Sequence, residues 1–285
     1  MRSTARRTSV AALAVASLAF LGACGSSGSD GQATDSNGGG DDTSAVSDLK
    51  PGAAVDAVDA KSLVASSASD LTSMRISADM ALGSTGTMHM EGVEQAKPSI
   101  LAQMTMSVSG QEMEFRMIGT DMYVEVPAAA GLPGGKKWLS MDFKDIGSLT
   151  GMDTSAMTDA LQNPAGNIDK YAKYITGGTY VGPSTVDGVS AKQYDFTLDM
   201  KGAMAEMMPG GMPSSAAGQI PDSMKESIWI DADKHPVQMK LAMGQLGTMT
   251  MHLSDFGTKV SVSAPPKDEV ADMAQLMKSM GGSAS

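Results

Sequence analysis

The chain has a single cysteine, Cys24, among 285 residues, and aromatic side chains make up only 4% of it. One cysteine excludes a disulfide within the chain, so the folded part has to be stabilised by ordinary burial. The sequence also lacks G-x-S-x-G, H-E-x-x-H and G-x-x-x-x-G-K, the patterns of a nucleophile elbow, a zinc-protease helix and a phosphate-binding loop. With only three histidines in addition, we expect no enzymatic activity and no cofactor.

Positive charge is scarce as well. The chain carries 21 Lys and Arg against 32 Asp and Glu, a net charge of −11. This acidity argues against a nucleic-acid partner and against a polybasic membrane patch. Methionine, by contrast, is abundant, with 26 residues.

The N-terminus has the layout of a secretory signal. Arg2, Arg6 and Arg7 precede the run "TSVAALAVASLAFLGA", which ends in small residues just before Cys24. This apolar run is shorter than the roughly 20 residues that a permanent transmembrane helix needs. We therefore predict that residues 1–23 are a signal peptide, whose removal with its three arginines takes the net charge from −11 to −14.

The signal ends in Leu21-Gly22-Ala23-Cys24, which resembles the lipobox of bacterial lipoproteins. The resemblance implies that the Cys24 thiol receives a diacylglycerol, and two acyl chains anchor a protein stably to a membrane. It also implies a location at the extracytoplasmic face of the cell membrane and a mature chain without a free thiol. The alternatives are an ordinary secretory signal with a chance cysteine and a twin-arginine signal.

After Cys24 the chain is rich in Gly, Ser and Asp, as in "GSSGSDGQATDSNGGGDDTSAVS". We predict that residues 24–49 comprise the lipidated cysteine and a flexible tether. The remaining residues, 50–285, have the length of one sizeable domain, and no second linker of this composition interrupts them.

Within this domain most segments alternate apolar and polar residues with a period of two, which predicts strands with one buried face. The stretch 53–74 has helical spacing instead. We also predict a mostly helical insert at 144–175, a long loop at 207–223, a strand at 259–265 and a short helix at 267–280. The fold class is α+β: a curved antiparallel sheet of about ten to twelve strands, with a few helices covering its concave side.

The methionines fall in phase with the buried positions of these strands, often as Met-x-Met pairs. The candidates for the lining of an apolar cavity are Met80, Met90, Met104, Met106, Phe115, Met117, Met239, Met249 and Met251. Two alternatives are ordinary core packing and a Cu(I) site made with His89 and His252. The histidines lie an odd number of residues from the methionines, however, so they point to the opposite face.

Two acidic clusters have simpler interpretations than a functional site. Asp231, Asp233 and His235 resemble the start of a calcium loop, but Pro236 stands where such a loop requires Gly. We predict a solvated hairpin turn there. Glu112 and Glu114 share the solvent-facing side of their strand, so we predict neither metal binding nor acid–base catalysis.

The order of elements resembles a known family. Lipobox, polar tether, helix, long antiparallel meander, helical insert and the hairpin "WIDADKHPVQMKL" occur together in actinobacterial lipoproteins of the LppX/LprG type, which share the half-barrel of the LolA and LolB carriers. The resemblance implies a LolA-like domain that binds or carries a lipid or acylated glycolipid, and a monomer. The segments 144–175 and 207–223 are the candidates for a lid. The alternative function is an envelope adaptor or sensory lipoprotein that binds a protein partner without a lipid cavity.

Overall fold

The computed structural model describes residues 49–68, 71–81, 86–108, 110–128, 131–142, 172–207, 221–244 and 247–276. The signal peptide, Cys24, the tether, and most of the predicted insert and long loop lie outside these residues. No helix among the described ranges has the length and apolar character needed to cross a membrane.

One sheet of thirteen strands organises the domain. Its strands are β1 Ala54–Val55, β2 Ser73–Ala81, β3 Thr87–Gln95, β4 Leu101–Val108, β5 Gln111–Ile118, β6 Asp121–Glu125, β7 Trp138–Asp142, β8 Ile175–Val186, β9 Val189–Asp199, β10 Ser223–Asp231, β11 Pro236–Ala242, β12 Thr248–Ser254 and β13 Val270–Asp272. Within the described residues the helices are α1 Ala57–Ala68, α2 Met200–Met207 and a short helical stretch at 273–276, inside the helix predicted for 267–280.

The sheet joins two antiparallel meanders. Strands β2 to β7 pair in sequence, β8 to β12 do the same, and β12 pairs with β2. The sheet is not closed, because β1 beside β8 forms one edge and β13 beside β7 forms the other. Among the described strands, only β13 pairs in a parallel direction. This confirms the predicted fold class of an open, antiparallel sheet with few helices.

The two faces of the sheet differ in polarity. On β2, Met74, Ile76, Ala78 and Met80 alternate with Arg75, Ser77 and Asp79. We call the side of the first set the apolar face and the side of the second the polar face. Because directly paired residues of antiparallel strands share a face, the register carries this division across the whole sheet.

Helix α1 covers one end of the apolar face. Asp56 caps its N-terminus, where Oδ1 accepts hydrogen bonds of 2.9 Å from the backbone N–H groups of Val58 and Asp59. Ala60 and Val64 of the helix are buried in one cluster with the inward residues of β8, β9 and β10. These buried partners are Ile175, Tyr180, Tyr194, Phe196, Leu198, Ile228 and Ile230. The helix is shorter than the predicted stretch 53–74, since Ala54–Val55 form β1 and the residues from Ser73 on belong to β2.

The hairpins lie where turn residues predicted them. Asp187 and Gly188 join β8 to β9 with φ values of 50° and 85°, the positive pair that a two-residue hairpin turn requires. The second predicted hairpin turn separates β10, which ends at Asp231, from β11, which begins at Pro236.

The C-terminal segment differs from the prediction in two places. No strand forms at 259–265, because both edges of β12 are already paired with β11 and β2. The segment instead crosses the polar face, where Gly257 N donates to Ser73 O at 2.9 Å and Arg116 Nη1 donates to Ser263 O at 2.9 Å. The helix predicted for 267–280 is wrong at its start: a 3₁₀ turn at Lys267–Glu269 leads into β13, which takes the free edge of β7.

Candidate functional site

Methionines form a transverse row on the apolar face. Successive pairings place Met239, Met251, Ala78, Met90, Met106 and Met113 side by side on β11, β12, β2, β3, β4 and β5. We call this set the methionine row. With neighbouring strands about 4.8 Å apart, five steps make it about 24 Å long.

A second row of apolar residues runs beside the first, two residues along each strand. It consists of Leu241, Met249, Met80, Met88 and Val108 on β11, β12, β2, β3 and β4. All five are half-buried, as are Met90, Met106, Met113 and Met239 of the methionine row. Because these nine side chains are not closed off like core residues, the two rows form an accessible apolar surface, interrupted in the methionine row by the buried Met251 and Ala78.

The register brings all nine residues predicted to line a cavity onto this one face. Six of them are half-buried: Met80, Met90, Met106, Phe115, Met239 and Met249. The other three, Met104, Met117 and Met251, are buried and pack as core residues. The shared face agrees with the pattern from which they were chosen, and a ligand-lining role stays a prediction.

A glycine allows one of the buried methionines to lie across its neighbouring strand. Gly92 on β3 pairs with Met104 on β4. A Cβ atom on Gly92 would stand 2.7 Å from Sδ of Met104 and would collide with the carbonyl oxygen of Gln103. The missing side chain therefore provides the space that Met104 fills.

The histidines next to the methionine pairs lie on the polar face. Nδ1 of His89 is 2.8 Å from a carboxylate oxygen of Asp79, and Nδ1 of His252 is 2.8 Å from one of Asp187. The sheet backbone thus separates these imidazoles from the thioethers. This arrangement does not provide the mixed histidine and methionine ligand set that a copper site at these pairs would need.

The acidic cluster at the β10–β11 turn accepts hydrogen bonds from the backbone of that turn. Ligand atoms of Asp231, Asp233 and His235 lie within 4.8 Å of one another. Oδ1 of Asp231, however, accepts hydrogen bonds from the N–H groups of Asp233 at 2.9 Å and His235 at 2.8 Å. These bonds are those of an Asx-type turn, which agrees with the hairpin predicted there.

The two acids of β5 lie on the polar face, as predicted. Glu112 is exposed, and Oε1 of Glu114 accepts hydrogen bonds from Gln103 Nε2 at 2.6 Å and Arg116 Nε at 2.8 Å. The Arg116 guanidinium also lies 4.7 Å from the ring centroid of Trp138. Glu114 therefore belongs to a network that holds β4, β5 and β7 together.

Two other glutamates lie on the apolar face, and the sequence analysis missed both. Glu94 is 6% exposed and Glu226 is 4% exposed. Among the described residues, Oε2 of each is buried without a hydrogen-bond partner. Their spacing could have revealed them, because residues an even number of positions apart on a strand share a face. Glu94 lies at even steps from Met88 and Met90, and Glu226 lies two residues from Ile228.

Burial perturbs both carboxyl groups in the same direction. Loss of solvation raises the pKa of Glu94 from 4.5 to about 7 and the pKa of Glu226 from 4.5 to about 8. Each is therefore held largely in its protonated, uncharged form at mildly acidic pH. In that form a carboxyl group can both donate and accept a hydrogen bond.

The surroundings of the two glutamates differ. Glu94 pairs with Met74 and Ala102, which are 0% and 2% exposed. Glu226 pairs with the buried Phe196 on one side and with the half-buried Leu241 on the other. Leu241 is the first residue of the second apolar row, so Glu226 is the polar end of that row.

Helix α2 stands at the same end of the sheet as Glu226. Asp199 caps this helix by accepting a hydrogen bond of 2.9 Å from Gly202 N. The backbone N–H of Met200 donates to Asp222 O at 3.1 Å, immediately before β10 begins. The start of α2 is thereby fixed beside the strand that carries Glu226.

Comparisons with known proteins give distant relatives. No family model matches the chain. An uncharacterized 31.2 kDa protein from the rplA–rplJ intergenic region of Streptomyces griseus is 28% identical over 166 residues, which cover 54% of each chain. The match thus spans about half the length of that relative.

Solved structures with a similar fold include two mycobacterial proteins. Lipoprotein LppX of Mycobacterium tuberculosis has a TM-score of 0.46 and 16% identity, with 71% of this chain and 94% of that one covered. LprF of Mycobacterium bovis has a TM-score of 0.44 and 16% identity, over 73% and 94%. A LolA superfamily protein of Nitrosomonas europaea has a TM-score of 0.28 and 9% identity, over 74% and 96%. All three TM-scores lie below 0.5, so these likenesses carry no argument about family, function or ligand.

Proposed function

We propose that this protein is a non-catalytic lipoprotein of the cell envelope that binds a lipid or another long apolar ligand on the apolar face of its sheet. The observation that carries the proposal is the pair of adjacent apolar rows, most of whose side chains are only half-buried. Such an extended apolar surface in a folded domain is a typical site for an apolar partner.

The dimensions of this surface suit an acyl chain. The methionine row is about 24 Å long, whereas one leaflet of a hydrocarbon core of about 30 Å is about 15 Å thick. Burial alone contributes about 25 cal/mol per Å² of apolar surface, so one enclosed chain supplies several kcal/mol. Unbranched, polarisable methionine side chains can adapt to a chain of irregular shape.

The proposal also includes a membrane anchor at the N-terminus, which keeps this site near a membrane. Residues 1–23 act as the signal peptide, Cys24 carries the lipid, and residues 24–49 tether the domain at 50–285 to the extracytoplasmic surface. Exchange of ligand then takes place beside the membrane that supplies or receives it. The protein acts as a monomer in this scheme.

Native mass spectrometry tests the proposal. The protein carrying Cys24→Ala is secreted behind a cleavable signal peptide from a related bacterium, purified without detergent, weighed in its native state and extracted with organic solvent. We expect a stoichiometric excess mass that extracts as lipid. A ligand-free mass, with no lipid in the extract, would contradict lipid binding and favour an adaptor that binds a protein partner.

Two substitutions on one strand test the position of the site. Met106→Glu places a charge on the apolar face, and Thr105→Glu places the same charge on the polar face of β4. We expect the first variant to lose the extractable lipid and the second to retain it. Equal lipid content in the two variants would exclude the apolar face as the binding surface.

A further inference from the structure

Glu226 lies at the junction between closed core and accessible apolar surface. On β9 its partner Phe196 is 1% exposed. On β11 its partner Leu241 is half-buried and continues through Met249 to Met80. A chain lying along the second apolar row therefore ends at the Glu226 carboxyl group.

The Glu226 carboxyl group has an unsatisfied hydrogen-bonding atom. Within the part of the chain that the structure describes, its Oε2 is buried and has no partner. A buried polar atom left in this state costs free energy that a ligand can recover by supplying a hydrogen bond. A hydrocarbon or an ester cannot donate one, whereas an amine or a hydroxyl group can.

The other described groups near Glu226 do not offer an internal partner. The flanking residues on its strand, Lys225 and Ser227, point to the polar face, as does Lys240 of β11. The nearest titratable side chain in the adjacent row of the apolar face is Tyr194, opposite Ile228. Burial raises the pKa of Tyr194 to about 12, so its hydroxyl group stays protonated, but it donates no hydrogen bond to Oε2 of Glu226.

We propose that the Glu226 carboxyl group binds the head group of an amphiphile that carries an amine or hydroxyl donor, while the chain of that amphiphile lies along Leu241, Met249 and Met80. This inference rests on the proposed function and specifies its ligand class. Glu94 has the same chemistry but no such role, because both of its cross-strand partners are closed off from any ligand.

Three probes with the same chain separate the head-group contribution from the chain contribution. Dodecylamine and dodecanol carry a donor, and methyl dodecanoate does not. Binding of each to the ligand-free complete chain with Cys24→Ala is measured by titration calorimetry above pH 8, where the Glu226 carboxyl group is ionised and can only accept hydrogen bonds, so that the ester cannot bind to it as an acceptor. A hydrogen bond to a carboxyl group corresponds to about tenfold or more in affinity, so we expect the first two probes to bind at least about tenfold more tightly than the ester.

Substitutions assign this preference to one residue. Glu226→Leu should equalise the three probes by weakening the amine and the alcohol. Glu226→Gln, which preserves the shape of the side chain, should keep the alcohol and lose most of the preference for the amine. Glu94→Gln is the matched control, a second buried glutamate whose replacement should leave the ranking of the probes unchanged.

The outcomes distinguish this inference from the proposal on which it rests. If the ester binds wild-type protein as tightly as the amine and the alcohol, or if the ranking survives both Glu226 variants, the head-group assignment is wrong and chain binding stands. If none of the three probes binds the wild-type chain, lipid binding itself is contradicted, and the assignment of Glu226 fails with it.

Discussion

Replacement of Glu226 by glutamine should stabilise the protein, and increasingly so as the pH rises. The pKa of this carboxyl group is about 8 in the folded protein because burial disfavours its charged form. In the unfolded chain the same group ionises near 4.5. Between these values the folded state binds more protons than the unfolded state, so the stability of the wild-type protein falls as pH increases through this window.

The magnitude follows from the two pKa values. Each unit of difference corresponds to about 1.4 kcal/mol, and the pKa rises from 4.5 to about 8. The full loss across the window is therefore about 5 kcal/mol, of which about 4 kcal/mol has accrued by about pH 7.5. Glutamine has nearly the same shape and no charge, so its contribution does not vary with pH.

Urea denaturation of the ligand-free chain measures this effect. Trp138 and Trp229 are both buried in the folded protein, so their fluorescence reports unfolding. We expect wild type and Glu226→Gln to have similar stabilities near pH 4.5 and to diverge steadily up to about pH 8. Beyond that pH the difference should stay constant, because Glu226 is then ionised in both states.

Two control variants test whether the burial of a carboxyl group causes this pH-dependent difference in stability. Glu94→Gln should show the same divergence, smaller and complete near pH 7, since the pKa of Glu94 is about 7. Glu112→Gln, at an exposed position on the polar face, should show no comparable divergence from wild type. Parallel stability curves for wild type and Glu226→Gln from pH 4.5 to 8 would refute the buried, uncompensated carboxyl group.

Four further substitutions test the packing and the cap of α1 by the same denaturation assay. Gly92→Ala should cost about 1–3 kcal/mol because its new Cβ collides with the backbone of β4, and an unchanged midpoint would contradict that close approach. Met104→Ala should cost about 2–5 kcal/mol as a fully buried residue, whereas the half-buried Met106→Ala should cost clearly less; equal costs would contradict their different burial. Asp56→Ala should cost about 1 kcal/mol, because two N–H groups of α1 lose their cap, and no loss would mean that water replaces it.

The strands of the two meanders were predictable because their signal is local. An alternation such as Met74, Ile76, Ala78 and Met80 has a period of two whatever lies elsewhere in the chain. Short turns, such as Asp187-Gly188, then determine which strands pair. The predicted face of each strand followed from the same alternation, and the register agrees with it.

The C-terminal segment could not be placed by such local rules. Residues 259–265 alternate like a strand, yet a strand also needs a free edge with which to pair. The edges of β12 are occupied by β11 and β2, and the free edge lies at β7, at the far end of the meander β2 to β7. Which edge is free depends on the order of the whole sheet, which the sequence pattern does not specify.

The buried glutamates were missed for a related reason. Phase alone places Glu94 and Glu226 on the apolar face, but a carboxyl group at the margin of a sheet can still reach water. Whether it does depends on its neighbours on adjacent strands, Met74 and Ala102 for one, and Phe196 and Leu241 for the other. These neighbours come from distant parts of the chain.

The apolar face divides into two parts that differ in composition as well as in exposure. Under α1, stiff and aromatic side chains such as Tyr194 and Phe196 are buried in a closed cluster, which contributes to stability through fixed packing. From β11 to β5 methionines predominate, and most of those in the two apolar rows are half-buried, so this part can adapt to a ligand at little cost in strain. Glu226 lies on the boundary between the two parts, with the closely packed Phe196 on one side and the half-buried Leu241 on the other. A head group bound there has a fixed position, while the chain attached to it remains free to vary in shape.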